Sequence, residues 1–386
     1  SQSVQAVADA SNAMRWPTLG VNGAYQYTSE TQQLKIALPI PGVTMPSVKF
    51  GDGNVYDFAL TARAPLFAGG TVLQKSKADA SAFRAAQQDV IADSLKLLYD
   101  VRRAYFNALA AEAREQAAEN ANDRLTRHVK EIEKIKAAGM QTEENLIAAQ
   151  ASLRQTEVVA LNARVAVKTA RIALGNLVDV QCRPVPPAGS LDSSLVPNYD
   201  IGYQHPFESR AEIVALDARI EQTDHLAKST GGSLLPSLSA MAAYHYAKPG
   251  VDVVSNDWMD YYVLGVNASW TLWDWNARRY NVQQVKAMSR SLQARKSNAL
   301  NGLRTRFHMA WETVFAAQAT QRMTAERTEL QQQRLTMVEN RWRGGLATES
   351  EYLDAQDDLT SAEADLAAAT AALRLAETDA LYASGF

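Results

Sequence analysis

The chain repeats itself at a distance of 206 residues, and this repeat limits the possible folds more than any other feature. Ala137-Ala-Gly-Met-Gln-Thr-Glu-Glu-Asn-Leu-Ile-Ala-Ala-Gln150 matches Arg343-Gly-Gly-Leu-Ala-Thr-Glu-Ser-Glu-Tyr-Leu-Asp-Ala-Gln356. Gly139 falls on Gly345, Thr142 on Thr348, Glu143 on Glu349 and Gln150 on Gln356. The pairs Leu66/Leu272, Ala104/Ala310 and Leu153/Leu359 keep the same offset, so no gap interrupts the match from 66 to 153. Upstream, Arg15-Trp-Pro-Thr-Leu19 matches Leu234-Leu-Pro-Ser-Leu238 at an offset of 219, so the first copy carries 13 more residues. They fall in 29–54, where Pro39, Pro41, Pro46, Gly42, Gly51 and Gly53 mark a loop. Whatever one copy folds into, the chain contains twice.

Each copy opens with two strand patterns. Leu19, Val21, Gly23, Tyr25 and Tyr27 alternate with mostly polar residues, as do Leu238, Ala240, Ala242, Tyr244 and Tyr246. In the second strand of the second copy, Tyr262, Leu264, Val266, Ala268, Trp270 and Leu272 alternate with Gly265, Asn267, Ser269 and Thr271. Tyr56 to Leu66 has the same pattern in the first copy. Side chains alternate faces in a strand, so each strand has one oily and one wet face. About ten residues with aromatics near the ends also match the length of a tilted membrane-spanning strand. A soluble sheet resting on a core has the same alternation, but the chain keeps little sequence in reserve to cover an oily face.

Two helix patterns of unusual length follow. Residues 71–138 contain neither Pro nor Gly, and 277–343 contain only Gly302. At 1.5 Å per residue each makes a helix of ~100 Å. Val285, Met288, Leu292, Ala299, Leu303, Phe307, Ala310 and Val314 form a coiled-coil-like seam. Glycine ends each long helix, at Gly139 and at Gly344-Gly345. Thr142 and Thr348 then have the chemistry of N-caps for helices that run back over 142–177 and 348–382. The domain organisation expected is a first repeat over 1–177, with a short helix, a hairpin at about 17–66 and the two helices. A Pro-rich connector occupies 178–206. The second repeat covers 207–386, with a helix, a hairpin at about 236–273 and its own helix pair. The helix before the first hairpin is short beside its counterpart at 207–230, so further native residues are expected ahead of Ser1.

Composition excludes several functions. Lys plus Arg total 39 against 42 Asp plus Glu, a formal charge of -3, which gives no basic footprint for nucleic acid. No run of about 18 apolar residues suggests a membrane-spanning helix. Cys182 is the one cysteine, so no internal disulfide is expected. There is no phosphate loop, no HExxH motif and no Gly-x-Ser-x-Gly elbow. His128, His205, His225, His245 and His308 stand apart on the helical pattern, so no metal cluster, cofactor or enzyme activity is expected.

The order helix, hairpin, long helix, glycine break and returning helix, given twice, resembles the TolC-like outer membrane efflux proteins (outer membrane factors). Ala64-Pro-Leu-Phe-Ala-Gly-Gly70 and Asn340-Arg-Trp-Arg-Gly-Gly-Leu-Ala-Thr-Glu-Ser-Glu-Tyr-Leu-Asp-Ala-Gln356 carry the resemblance, which spans essentially the whole chain. Trp275-Asn276 depart from the Gly pair of the first copy, and Thr271 stands at the position of Pro65. The resemblance implies a mainly α fold with a β-barrel portion, and a homotrimer. Four strands per chain would give 12, enough for a closed barrel in outer membrane lipid, continued by an α-helical tunnel through the periplasm. It implies a passive exit duct of a tripartite efflux or type I secretion system. The partners implied are a periplasmic adaptor protein and an inner-membrane pump of RND, ABC or MFS type. The alternative is a soluble coiled-coil scaffold that presents its helical tips to a partner.

Three sets of site residues follow from that resemblance and the spacing. Tyr262, Leu264, Val266, Ala268, Trp270 and Leu272 are expected to face lipid. The turns with Gly139, Thr142, Gly344, Gly345 and Thr348 are expected to dock the adaptor. Glu351 and Asp354, three apart on one helix face with Trp342 just before the break, are expected to form a periplasmic gate. The dipole at a helix N-terminus also favours carboxylates there without any gate. Ala347 stands where a basic residue that ties the closed state occurs in the resembling family. Residues 29–54 and 247–257 are expected to be extracellular loops.

Overall fold

A computed structural model describes residues 2–30, 33–34, 48–49, 53–178, 183–191, 207–252 and 256–385. Cys182, His205 and most of the connector and of the 29–54 loop lie outside the described residues. The chain runs α1 (Gln2–Ala13), β1 (Thr18–Tyr27), β2 (Gln33–Leu34), β3 (Val48–Lys49), β4 (Asn54–Phe67), α2 (Thr71–Ala137) and α3 (Glu143–Leu177). A 3-10 turn at Phe207–Ser209 precedes α4 (Ala211–Gly232), β5 (Ser237–Lys248), β6 (Met259–Ser269), α5 (Ala277–Arg343) and α6 (Glu349–Ser384). The fold is mainly helical with one four-stranded antiparallel sheet. Helices α2 and α5 are 67 residues each and begin 206 positions apart. Two details differ from the strand patterns. β6 ends at Ser269, so Trp270 and Leu272 lie beyond it, and the Pro/Gly-rich loop carries the two-residue ladder β2–β3.

The chain forms two compact units, Ser1–Asp89 with Val214–Ser297 and Val90–Ile213 with Asn298–Phe386. The units cut across the repeats, since each holds parts of both copies.

In the first unit the sheet order is β1-β4-β5-β6. β4 of the first copy therefore pairs with β5 of the second, and β1 and β6 are the edges. The two connections from sheet to long helix share an unusual backbone. Gly69 and Gly70 have φ of 58° and 80°, and Trp275 and Asn276 adopt 55° and 65°. At Gly69 a Cβ would stand 2.2 Å from the Gly232 carbonyl oxygen, so only glycine fits. Trp275 is 82% exposed, so its side chain meets no such wall, and the second copy keeps the turn with L-residues at the cost of left-handed strain. Arg278 braces that turn. It bonds Asp274 at 2.5 Å and donates to the Ser233 and Thr271 carbonyls at 2.7 and 2.6 Å. α4 is held by polar contacts on both sides, Arg84–Glu221 and Arg219–Asp89 toward α2, and Lys296–Asp217 and Ser289–Asp224 toward α5.

In the second unit, Phe307, Trp311 and Val314 of α5 bury against Leu373, Ala376 and Ala380 of α6. Alanine recurs in these seams, and a small side chain lets helices approach closely. A second cluster gathers the far ends of both helix pairs. Val129 and Ile132 of α2, Leu146 and Ala149 of α3, Leu335 and Trp342 of α5, and Tyr352, Ala355 and Leu359 of α6 share one core.

Candidate functional site

The sheet presents two chemically distinct faces. Register aligns rows across all four strands, such as Leu19–Ala62–Ala242–Leu264 and Val21–Leu60–Tyr244–Tyr262. Leu19, Val21, Leu60, Tyr244, Tyr262, Leu264 and Val266 on this face are all exposed. Removing this much apolar surface from water would be strongly favourable, and among the described residues nothing covers it. The opposite face holds the rows Thr18–Arg63–Met241–Gly265 and Asn22–Ala59–His245–Tyr261, together with Asp57, Thr61 and Asn267. There His245 Nδ1 lies 2.8 Å from Asp57 Oδ1, and its ring stacks on Tyr261 at 4.9 Å.

Aromatics crowd both ends of the apolar face. Trp258 lies against Tyr246 (4.8 Å), Tyr56 (5.8 Å) and Phe58 (6.3 Å), and Tyr25 lies against Tyr56 (5.0 Å). At the other end Trp16, Trp270, Leu272, Trp273 and Trp275 are exposed by 58–82%. Twelve residues separate Trp258 from Trp270, ~40 Å along a strand and ~30 Å along a normal tilted by ~40°.

The helix breaks form the second site. Gly139 and Gly345 take φ of 78° and 69°, the left-handed conformation that closes a helix C-terminus. The space beside both is open. Thr142 caps α3 by accepting from the Asn145 amide at 3.2 Å. Thr348 caps α6 in a full capping box, in which its hydroxyl accepts from the Glu351 amide at 3.2 Å and its own amide donates to Glu351 Oε2 at 2.8 Å. Glu351 and Asp354 are both exposed. Arg341 comes within 3.9 Å of Glu351 and donates to the Leu346 carbonyl at 3.0 Å. Trp342 is placed differently from the two carboxylates. It is 5% exposed and belongs to the shared core behind them.

That core contains polar groups that the sequence patterns did not single out. His128 Nε2 of α2 lies 2.6 Å from Glu349 Oε1 at the start of α6, and both are buried. The imidazole stacks on Tyr352 at 3.9 Å and tilts against Trp342 at 4.8 Å. Burial above all, then the nearby carboxylates of Glu339, Glu131 and Glu349, push the Tyr352 phenol up to about 12. His128 and Glu349 are 221 positions apart, so no local spacing reveals them. Comparison of the repeats does carry a signal. The counterpart of His128 is Arg334 and that of Trp342 is Lys136. In the first copy Lys136 bridges Glu143, the counterpart of Glu349, at the exposed surface.

Comparison with known proteins agrees with this architecture. A model of the outer membrane efflux protein family matches residues 1–178 and 203–384, nearly the whole chain, and the chain belongs to that family. VceC of Vibrio cholerae, an outer membrane protein, has a TM-score of 0.81 at 19% identity, over 100% of this chain and 90% of that one. The outer-membrane channel OprN gives 0.82 at 18% identity over 100% and 84%. The open state of the Neisseria gonorrhoeae MtrE outer membrane channel gives 0.80 at 17%, again over 100% and 84%. At these identities the likeness establishes the fold. No curated protein sequence matches the chain.

Proposed function

We propose that three copies of this chain form a passive duct through the bacterial outer membrane, the exit of a tripartite efflux or type I secretion system. One observation carries the proposal. The sheet has a continuous apolar face, a wetter opposite face and two edge strands, β1 and β6, paired on one side only. Open edges are not tolerated in lipid, whereas three such sheets joined edge to edge make a closed 12-stranded barrel. The apolar row faces lipid, the Asn22–Ala59–His245–Tyr261 row faces the lumen, and the two aromatic ends lie at the membrane surfaces. The 29–54 and 247–257 loops face the exterior. The wide-open turns at Gly139 and Gly345 receive hairpins of a periplasmic adaptor, which couples the duct to an inner-membrane pump.

Glu351 and Asp354 form the gate. Three chains bring six carboxylates into a ring that favours cations and attracts divalent ions. Half of the Glu351 carboxylate serves the capping box, and Arg341 supplies the basic contact that Ala347 lacks. Trp342 acts from behind, as support for the start of α6. Single-channel recording from the purified protein in planar bilayers tests the proposal. Cation-selective channels from crosslinkable trimers are expected. A monomer with no conductance after reconstitution would overturn it.

A further inference from the structure

The tip core holds a buried hydrogen-bonded couple that belongs to neither the gate ring nor the docking turns. His128 comes from the first repeat and Glu349 from the second, so their 2.6 Å contact is a tie between the two helix pairs. The side chains are 2% and 4% exposed. Glu349 Oε2, Trp342 Nε1 and both amide atoms of Gln356 are buried with no hydrogen-bond partner among the described residues. A buried carboxylate that has one partner depends heavily on it. Glu349 is also the first residue of α6, next to the cap Thr348 and two before Glu351. Any shift of the tie moves the acidic start of the helix.

Repeat symmetry points the same way. In the first copy the equivalent glutamate, Glu143, stays at the surface and pairs with Lys136 of its own helix pair. In the second copy the lysine position is Trp342, which closes the site from water, and the glutamate turns to His128 of the other copy. The local pair has been exchanged for a cross-repeat one only at the break that carries Glu351 and Asp354.

We propose that His128 is a positioning residue for the gate: it latches α2 to the start of α6 through Glu349, and the latch must release for the acidic ring to widen. The inference rests on the channel reading for its consequence. The two groups satisfy each other only while they remain in contact, and separating them inside the core leaves buried polar atoms unpaired, which is costly. The charged and titratable groups around the couple are Glu131 on α2, Glu339 and Arg343 on α5, and Tyr352 on α6, while α3 contributes Leu146 and Ala149. Arg343 bridges Glu131 at 3.2 Å and Glu339 at 2.6 Å, so these charges are already paired.

The test uses the full chain in planar bilayers. His128→Ala should raise the open-to-closed ratio by about tenfold, within the usual range for coupling between sites. His128→Gln keeps a hydrogen-bonding side chain, so closure should return. A wild-type ratio in His128→Ala, or no return of closure in His128→Gln, overturns the latch. Hydrogen exchange over 346–355 gives an arm independent of channel activity. Exchange about tenfold faster in His128→Ala supports the latch even if no channel forms, and unchanged exchange rejects it. Glu351→Ala with Asp354→Ala, recorded in parallel, separates the two ideas. Unaltered ion selectivity in that variant removes the acidic ring and leaves the latch to stand on the His128 results.

Discussion

Leu264→Arg is the substitution that most directly tests which side of the sheet meets lipid. Leu264 is the midpoint of β6, is 72% exposed, and closes the row Leu19–Ala62–Ala242–Leu264, every member of which is apolar. An arginine at the bilayer midplane of a β-barrel costs ~2–4 kcal/mol, falling to ~0–1 near the interfaces. In the proposed barrel of three chains the substitution occurs three times, so the assembly would lose ~6–12 kcal/mol. That is comparable to the whole stability of many folded proteins, ~5–15 kcal/mol. Val266 stands two residues along, ~7 Å on the strand and ~5 Å along the normal at a tilt of ~40°, so Val266→Arg should cost less. Asn267, opposite Ser239 on the other face, should accept arginine with little loss. Folding into liposomes, followed by urea titration of the heat-modifiable trimer, reads all three variants. The expected order of damage is Leu264→Arg, then Val266→Arg, then Asn267→Arg. Equal assembly of Leu264→Arg and Asn267→Arg, or greater damage from the latter, would refute the assignment of faces.

Gly345→Asp should abolish transport while leaving the trimer intact, measured by drug sensitivity in a strain that depends on this duct and by native gel; normal transport would remove adaptor docking from that turn. Gly69→Ala should lower the yield of folded protein far more than Gly70→Ala, because a Cβ at 69 meets the Gly232 carbonyl at 2.2 Å whereas that at 70 meets open space. Asp357, although exposed at the surface, is raised from its ordinary value by partial desolvation and then by its neighbours Asp354 and Asp358. The folded state therefore binds that proton more tightly than the unfolded chain does, and stability falls as pH rises through the raised value. Asp357→Asn should melt higher than wild type at pH ~7 and no higher at pH ~3.5, below the ordinary carboxylate range. A melting difference that does not change with pH would contradict that sign.

The legible part of this fold was the part written in periodicity. Strand alternation, the long stretches free of helix breakers and the glycines that end them are local signals, and the helices α2 and α5 begin at equivalent positions of the repeat. Trp275-Asn276 were visible as a departure from Gly69-Gly70, but their conformation was not. That the backbone keeps the same left-handed pair depends on Gly232 crowding one copy and open space beside the other. At the tip, spacing identified both caps and put Glu351 and Asp354 on one helix face. It did not show that Trp342 turns inward or that His128 meets Glu349, because both depend on how two helix pairs pack. Histidines that looked isolated along the chain were paired across it, His128 with Glu349 and His245 with Asp57, over 221 and 188 positions.

Divergence between the copies marks where their roles part. A duplicated chain begins with two equivalent breaks, and both keep the glycine in left-handed conformation and the threonine cap, which any reversal of a helix at this point requires. The first copy retains a surface ion pair, Lys136–Glu143, of the kind that contributes ~0–1 kcal/mol. In the second, the lysine position has become Trp342 and the glutamate is buried against His128. A buried pair costs desolvation that a surface pair does not, so it is poor evidence of a need for stability. It is better understood as a device for position, since it is satisfied in one arrangement of the two helix pairs and unsatisfied in others. The second break bears the Glu351–Asp354 face, and among the described residues it is the second break that is tied through a buried hydrogen bond, Glu349 to His128, to the opposite repeat.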